Sequence, residues 1–211
     1  MSSGPRGGRR GRLQPRIAVF CSGQGTNLQA ILTAIRRGRL QARVAAVVSD
    51  NPGAPALVRA ARAGIPAIVV DRRRFASRER FDRALLAALK PLRVRLVVLA
   101  GFMRILSPRF IRSFPNRILN VHPALLPAFR GAHAVREALA AGVRITGVTV
   151  HFVDEQVDHG PVIAQAAVPV RPDDTEATLL ARVHRVEHRL YPRAIDQVLR
   201  GKIRTTRKGR S

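Results

Sequence analysis

Asn120 and His122 lie two positions apart at the end of an apolar run, and Pro123 stops that run directly after them. Because side chains alternate between the two faces of a strand, Asn120 and His122 share one face of the strand predicted here. A polar group that is buried without a partner costs about 1–3 kcal/mol, so we expect both side chains to project into a cleft. Taken alone, His122 also fits a core histidine that caps a loop.

Carboxylates are scarce in this sequence, and three of them fall together. Asp154, Glu155 and Asp158 lie within five positions, in a loop closed by the residues HGP at 159–161, although only 13 of the 211 residues are acidic. A carboxylate beside an imidazole favours its charged form and raises its pKa, which would let His122 donate a proton near neutral pH. The alternative is a solvated acidic hairpin tip, and the spacing is compatible with both.

The elements that must position these side chains alternate between strand and helix. Residues 16–21 form an apolar, β-branched run, followed by a glycine turn and by apolar residues at helical spacing. Continued alternation as far as residue 100 indicates a Rossmann-like α/β domain, with a mostly parallel sheet and helices on both faces. Ligands of such sheets bind at the carboxyl ends of the strands. We predict strands at 44–48, 67–70 and 96–100, and helices at 55–64 and 78–90.

The pattern changes after Gly101 to shorter pieces. The elements predicted there are a small helix at 107–113, a strand at 117–121, a helix at 133–141, and strands at 145–152 and 162–168. Because only the acidic loop separates the last two strands, we expect an antiparallel extension of the sheet. A long helix is predicted over 175–200, with Asp173 and Glu176 as a capping box and a kink at Pro192.

The turn between the first strand and the first helix reads SGQGTN at 22–27. Its glycines let backbone N–H groups approach an anion at the helix N-terminus, so a phosphate-bearing ligand is one interpretation. Position 28 is Leu rather than the third glycine of a dinucleotide fingerprint, and the Gly-Lys-Ser/Thr of an ATP-binding loop is absent, which disfavours both ligands. The alternative is a tight structural turn in which Thr26 or Asn27 caps the helix.

The net charge of +25 at pH 7 invites a nucleic-acid interpretation, but the distribution of the charge weakens it. Residues 1–15 carry four arginines and residues 200–211 carry six basic residues, so ten of the 25 charges lie at the two ends. Of the 38 basic residues, 35 are Arg, a skew typical of codon bias. The aromatic interleaving of single-strand binders is also lacking. We therefore expect small-molecule substrates rather than nucleic acid.

Features that the sequence lacks limit the cellular compartment in which we expect the protein. The lone Cys21 excludes a disulfide framework and a Cys-rich zinc site. The sequence shows no secretory signal and no run of the roughly 20 apolar residues that a membrane span needs. We expect a cytoplasmic protein without a membrane partner, a monomer or weak homodimer, with one domain at 16–203 between a disordered basic arm at 1–15 and a basic tail at 204–211.

Five separated motifs together carry a resemblance to a known family. They read SGQGTNLQAI at 22–31, LAGFMRILSP at 99–108, ILNVHPALLPAF at 118–129, GVTVHFVDEQVDHGP at 147–161 and RVEHRLYP at 185–192. In this order they are very similar to the folate-dependent phosphoribosylglycinamide formyltransferases, and the match runs from about residue 16 to 203. The resemblance implies the formyltransferase fold.

The resemblance also implies a reaction and a role for each residue of the catalytic set. The formyl group of the co-substrate 10-formyltetrahydrofolate would pass, without a metal, to the amine of N1-(5-phosphoribosyl)glycinamide in purine biosynthesis. His122 would donate a proton, Asn120 would bind the formyl oxygen, and Asp158 would raise the pKa of His122 and help to position a proton-relaying water. Donors aimed at a developing oxyanion are worth roughly 2.7–4 kcal/mol each.

The binding residues that the resemblance implies fall into two groups. Gly25, Thr26 and Asn27 would hold the phosphate of the ribonucleotide, and Glu187 would contact its ribose and glycinamide part. The folate contacts would be Arg78, Met103, Arg104, Ile105, Leu106, Asn120, Asp154 and Asp158, with backbone groups of 103–106 and 154–158 gripping the pterin. By composition alone, Met103, Ile105 and Leu106 would be assigned to the core.

The sequence departs from the family pattern at three positions near the site. Arg130 stands where Pro is expected, Val135 where a second His is expected, and His159 where a small residue is usual. None of the three is a position of the catalytic set.

Three other functions are alternatives. A methionyl-tRNA formyltransferase shares the catalytic chemistry, but its tRNA-binding domain would need roughly another hundred residues, whereas the sequence ends 11 residues after Arg200. A formyltetrahydrofolate deformylase resembles a chain with an additional N-terminal domain, whereas 15 residues precede the first strand here. A nucleic-acid-binding protein would explain the basic ends but not the catalytic set.

Overall fold

The computed structural model describes residues 14–203, and these residues form one seven-stranded sheet with the strand order β3-β2-β1-β4-β5-β6-β7. The strands are β1 (Arg16–Phe20), β2 (Arg43–Ser49), β3 (Ala67–Val69), β4 (Leu96–Leu99), β5 (Ile118–His122), β6 (Ile145–Phe152) and β7 (Val162–Pro169). The helices are α1 (Thr26–Arg36), α2 (Pro55–Arg62), α3 (Arg78–Leu89), α4 (Pro108–Ser113), α5 (Ala134–Ala140) and α6 (Glu176–Leu199). Residues 1–13 of the predicted arm and the whole predicted tail at 204–211 lie outside the described residues.

The strand pairing confirms the predicted fold class. Strands β1 to β5 are parallel to their neighbours, whereas β5 pairs with β6 and β6 pairs with β7 in antiparallel fashion. The chain order reverses between β1 and β4, which lie side by side, so this is the topological switch point where α/β sheets bind ligands. Side chains that the sequence assigns to chemistry lie directly after β1 and β4 and at the end of β5, at that edge.

Two hydrophobic layers cover the two faces of the sheet. Ile17 and Val19 of β1 pack in one layer with residues of α1 and α6, whereas Ala18 and Phe20 pack in the other with residues of α3 and α4. This split follows from the period of two in a strand, because successive side chains point to opposite faces. A strand buried on both faces is continuously apolar, which explains why β1 and β4 have no polar alternation.

Two helix starts differ from the predictions. The residue that precedes α1 is Gly25, in the left-handed conformation with φ 69°, and no side chain caps the helix, so the alternative in which Thr26 or Asn27 caps it was wrong. A Cβ at position 25 would lie 2.8 Å from the Cβ of Ala56, so close packing as well as the backbone conformation favours glycine.

The start of α6 is also capped by other residues than predicted. Thr175 and Thr178 form the capping box, with each hydroxyl accepting a hydrogen bond from the other residue's backbone N–H at 3.2 and 3.0 Å. The capping box predicted for Asp173 and Glu176 was therefore wrong by about two residues. The long helix itself is confirmed, and Pro192 lies inside it. None of the helices in residues 14–203 is long and apolar enough to cross a membrane.

Tyr191 connects α6 to the central strands of the sheet through its buried hydroxyl. Its ring is fully buried, and its hydroxyl lies 2.8 Å from the carbonyl oxygen of Leu99 in β4 and 3.0 Å from that of Leu119 in β5. We expect Tyr191→Phe to lower the free energy of unfolding by about 1 kcal/mol, because the ring still packs but this hydrogen bonding is lost. Thermal melts should show a decrease in Tm of about 2–4 °C with little change in turnover, and an unchanged Tm would contradict this role.

Candidate active site

Asn120, His122 and Asp158 meet at the carboxyl edge of the sheet. Asn120 and His122 point to one face of β5, as their spacing predicted, and the loop after β6 brings Asp158 to them. The Asp158 carboxylate lies 3.3 Å from the Asn120 amide nitrogen through Oδ1 and 3.3 Å from His122 Nδ1 through Oδ2. It also accepts a hydrogen bond from the backbone N–H of Gly131 at 2.9 Å. The carboxylate is therefore the centre that holds the other two side chains.

A second imidazole, which the sequence analysis missed, completes this arrangement. His151 lies opposite Asn120 in the β5–β6 pairing and is buried. Its Nδ1 donates to the carbonyl oxygen of Phe152 at 2.8 Å, and its Nε2 lies 3.2 Å from the Asn120 amide nitrogen and 3.6 Å from Asp158 Oδ1. A neutral His151 therefore accepts one of the two amide hydrogens of Asn120 and fixes the orientation of that amide.

Both ring nitrogens of His122 face acceptors. Nε2 lies 2.7 Å from the carbonyl oxygen of Phe129, which can only accept, and Nδ1 faces Asp158. Burial lowers the pKa of His122, and the opposing effects of Asp158 and of the Phe129 carbonyl do not cancel it. Asp158 raises the pKa of His122, as predicted, but burial has the larger effect, which the sequence did not reveal, and the net shift is downward.

Asp158 remains ionised despite being partly buried. Burial raises its pKa, but the adjacent His151 ring, the hydrogen bond from the Gly131 N–H and the neighbouring His122 bring the pKa below its ordinary value. The backbone supports this position, since Asp158 has φ 47° and Phe129 has φ 51°. Non-glycine residues in this left-handed region cost roughly 1–2 kcal/mol, a strain that is commonly found at functional sites.

A cleft of about 440 Å³ opens beside these residues. Residues 101–106 and 153–158 form its walls together with Asn120 and His122. Met103 and Ile105 are 67% and 59% exposed there, so assigning them to the core by composition was wrong, whereas Leu106 is buried. The backbone groups of Arg104, Ile105 and Leu106 form no hydrogen bond to other described residues. The wall thus offers apolar side chains and free peptide groups to a flat heterocycle.

A buried carboxylate that the sequence analysis missed joins this wall to the glycine turn. Asp50 follows β2 and accepts a hydrogen bond from the hydroxyl of Ser22 at 2.6 Å and one from Arg104 Nε, also at 2.6 Å. The Ser22 hydroxyl in turn accepts a hydrogen bond from the backbone N–H of Met103 at 2.9 Å. The same rule that selected Asn120, a polar residue at the end of a buried strand, would have selected Asp50.

The other predicted folate contacts, Asp154 and Arg78, differ in whether they line the cleft. Asp154 lines the cleft, and its Oδ2 lies 2.7 Å from Nδ1 of His159. Arg78 begins α3 and lies 3.8 Å from the carboxylate of Glu79, outside the residues that line the cleft. The structure therefore brings Met103 to Leu106, Asn120, Asp154 and Asp158 together, but not Arg78.

Asn27, one of the predicted phosphate-binding residues, contacts Glu187. The amide nitrogen of Asn27 donates to Glu187 Oε2 at 2.7 Å, and both side chains are buried. Burial raises the pKa of Glu187, although the hydrogen bond from Asn27 and the nearby His184 act in the opposite direction. Oδ1 of Asn27 is buried and has no partner among residues 14–203. A buried acceptor without a partner is a feature that a bound ligand can satisfy.

The three residues that depart from the family pattern are not among those that line the cleft. Arg130 is exposed in the loop after β5, and Val135 is buried in α5. His159 is the partner of Asp154. Within the described part of the chain, no group of three or more His, Cys, Asp or Glu side chains is arranged to hold a metal ion.

Comparison with known proteins agrees with this geometry. The family model described as formyl transferase matches residues 15–195. Phosphoribosylglycinamide formyltransferase of Bacillus subtilis (strain 168) is 39% identical over 184 residues, which are 87% of this chain and 94% of that protein. The crystal structure of glycinamide ribonucleotide transformylase 1 from Symbiobacterium toebii superimposes with a TM-score of 0.90 at 49% identity and covers 92% of each chain.

Another relative is much longer than this chain. The trifunctional purine biosynthetic protein adenosine-3 of Drosophila melanogaster is 48% identical over 188 residues, which are 88% of this chain but only 14% of that protein. The chain thus spans about a seventh of this relative. The family model that matches residues 15–195, together with these relatives, identifies the chain as a member of the formyl transferase family.

Proposed function

We propose that this chain transfers the formyl group of 10-formyltetrahydrofolate to the amine of N1-(5-phosphoribosyl)glycinamide, giving formylglycinamide ribonucleotide and tetrahydrofolate in the cytoplasm. The amine nitrogen forms a bond to the formyl carbon, the bond from that carbon to the folate nitrogen breaks, and one proton moves from the amine to the folate nitrogen. The observation that carries the proposal is the convergence of Asn120, His122 and Asp158 beside a cleft of suitable shape.

Asn120 is the group that stabilises the formyl oxygen. Both hydrogens of its amide nitrogen are directed at neighbours, but at 3.2 and 3.3 Å these contacts are longer than the usual 2.9–3.0 Å. A formyl oxygen that gains negative charge accepts a stronger hydrogen bond than the neutral Nε2 of His151 does. Asn120 is therefore held in orientation by weak bonds, one of which the substrate replaces.

His122 is the group that moves the proton. Asp158 holds its Nδ1, and the Phe129 carbonyl holds its Nε2. For His122 to donate a proton to the substrate, its hydrogen bond to the Phe129 carbonyl must therefore break while Asp158 keeps the ring in position. Because burial lowers the pKa of His122, the charged ring is a stronger acid than a free imidazolium and releases its proton readily.

The cleft wall suits the folate, which supplies the formyl group. Its pterin is flat and carries donors and acceptors along its edge, which the free backbone groups of residues 104–106 can match. The exposed Met103 and Ile105 offer apolar contact area. Arg104 keeps its place through Asp50, so its remaining guanidinium donors can reach the ligand.

Gly25, Thr26 and Asn27 bind the phosphate of the ribonucleotide at the N-terminus of α1, and Glu187 binds its ribose and glycinamide part. The backbone N–H groups of the first helical turn have no intrahelical partner and attract an anion. Glu187 lies next to this turn through Asn27, so one ligand can touch both.

Glu187→Gln is expected to weaken binding of the ribonucleotide while it raises the thermal stability of the chain. The amide preserves the shape and can still accept from Asn27, but it removes a buried charge. We expect an increase of about tenfold in the KM for the ribonucleotide, because a charge-assisted hydrogen bond is lost, and a higher Tm. The raised pKa means that folding favours protonated Glu187, so the wild-type chain loses stability as the pH rises above the unfolded pKa of this carboxyl. The gain in Tm should therefore be larger at pH 8 than at pH 5, and an equal gain at both would contradict the assignment.

The activity is tested by incubating the pure chain with 10-formyltetrahydrofolate, with and without N1-(5-phosphoribosyl)glycinamide. The expected result is formylated ribonucleotide and tetrahydrofolate in equal amounts, formed only when both substrates are present. Loss of the formyl group as formate without the ribonucleotide would identify a deformylase instead. Transfer to methionyl-tRNA but not to the ribonucleotide would identify a tRNA formyltransferase.

A further inference from the structure

A groove of about 970 Å³ lies on the outer side of α1 and α6, away from the catalytic cleft. We call it the α1/α6 groove, and it shares no lining residue with the cleft. Thr26, Gln29 and Thr33 line it at helical spacing along α1, and Arg37 follows directly after that helix. Thr26 is also one of the residues proposed to bind the phosphate of the ribonucleotide, so this end of the groove adjoins that site. On α6 the corresponding row is Arg189, Arg193 and Gln197, so polar faces of both helices border one space.

The α1/α6 groove is strongly cationic. Its basic lining residues are Arg37, Arg39, Arg59, Arg189, Arg193 and Lys202. Its one acidic lining residue, Asp196, is already engaged, since Oδ2 pairs with Arg200 at 2.6 Å and Oδ1 accepts from the backbone N–H of Gln41 at 3.2 Å. No carboxylate is therefore left in the groove to neutralise the six basic residues.

Most of these cations also have no hydrogen-bonding partner. Arg59 donates to the carbonyl oxygen of Gln24 at 2.8 Å and to the side chain of Gln29 at 3.3 Å, both of them neutral acceptors. The side chains of the other five form neither a hydrogen bond nor an ion pair with any residue in 14–203. The groove also contains His188, whose buried Nε2 has no partner within the same residues. This concentration of unpaired donors indicates a surface that binds an anion.

We propose that the α1/α6 groove is a second anion site, which binds a small polyphosphate such as the triphosphate chain of a nucleoside triphosphate. Arginine forks bind phosphate oxygens in pairs, and several adjacent phosphates are needed to engage cations on both helices at once. The volume lies within the range of small-ligand sites. The groove has no Phe, Tyr or Trp among its lining residues, which argues against single-stranded nucleic acid, because that ligand needs aromatic rings for stacking.

This proposal does not depend on the formyl transfer reaction, so binding alone tests it. Tripolyphosphate is titrated into the full chain by calorimetry at about 0.15 M salt, where charges more than about 8 Å apart are screened. We expect one saturable site. The double variant Arg37→Ala with Arg193→Ala should bind at least about tenfold more weakly, because two charge-assisted contacts are lost. Both side chains are exposed and unpaired, so the fold should be retained.

A matched control removes the same charge elsewhere. Arg109→Ala with Arg136→Ala changes two exposed arginines that line neither the groove nor the cleft, and it should bind tripolyphosphate with the wild-type affinity. Equal weakening in both double variants would overturn the proposal, because net charge alone would then explain binding. Competition by N1-(5-phosphoribosyl)glycinamide would also overturn it, because the groove would then be part of the substrate site. So would an RNA oligonucleotide that binds more tightly than tripolyphosphate and depends on the same two arginines.

The source of the polyphosphate is distinguished by a second titration with ATP and GTP. Tighter binding of a nucleoside triphosphate than of tripolyphosphate would support a nucleotide as the ligand, with the base adding contacts. Equal affinity would support recognition of the polyphosphate chain itself. Binding of inorganic phosphate as tightly as tripolyphosphate would contradict the requirement for several phosphates.

Discussion

Replacing His122 with alanine is expected to lower kcat for formyl transfer by about 10²-fold or more, with little change in the KM of either substrate. The reason is that, in the proposed reaction, His122 transfers the proton next to the bond that breaks, while the cleft wall and the glycine turn proposed to bind the substrates lie on other loops. Steady-state kinetics with each substrate varied in turn measures both parameters.

The retained fold must be shown for the His122 variant, because the ring is buried and its loss leaves a small cavity. Circular dichroism and a cooperative thermal melt provide that control. A kcat within a few-fold of the wild type would refute the assigned role. A loss confined to KM would instead indicate that His122 only shapes the binding site.

The sequence predicted most of the sheet and paired two of the three candidate catalytic residues, for a physical reason. Local patterns specify which residues form a strand and which face each side chain takes, so Asn120 and His122 could be paired from their spacing. Asp158 is 36 positions away from His122 in the chain, and only the family resemblance connected them. No local pattern specifies which segments meet at such a separation along the chain.

His151 shows the same limit more sharply. Its strand was predicted over 145–152, as the structure has it, but its role depends on the antiparallel register that sets it opposite Asn120. A shift of one residue in that register would turn His151 to the other face of the sheet. The burial of His122 could not be predicted either, because it comes from the loops packed around the ring. The effect of Asp158 on the pKa of His122 was therefore predicted, but the larger and opposite effect of burial was not.

The helix caps were missed for a more local reason. A capping box depends on which residue is the first outside the helix, and Asp173, Asp174 and Thr175 are all residue types that cap helices. Asp174 is instead paired with Arg182 at 2.6 Å, which leaves Thr175 as the cap. The ion pair of Asp174 with Arg182, two turns further along the helix, thus distinguishes Asp174 from Thr175, although both residue types can cap a helix.

Asp158→Asn is expected to lower kcat by about 10²-fold or more as well, through a different physical effect. The amide has one acceptor oxygen in place of two, so it cannot accept at once from the Gly131 N–H and from Asn120 while it stabilises a charged His122. If both residues serve one step, the double variant with His122→Ala should be little slower than His122→Ala alone, and additive losses would contradict a shared role.

The pH dependence of Asp158→Asn distinguishes this electrostatic role from a merely structural one. Asp158 raises the pKa of His122 against the effect of burial, so removing its charge lowers that pKa further. Because the proton donor is the charged imidazole, activity falls as the pH rises through its pKa, and the alkaline limb of the profile of kcat/KM should therefore move to lower pH. Asp173→Asn, which converts an exposed carboxylate outside the site, should leave that limb in place. An unshifted limb in Asp158→Asn would mean that the carboxylate only holds the loop after β6, whereas a shifted limb with a normal thermal melt requires its charge to act on His122.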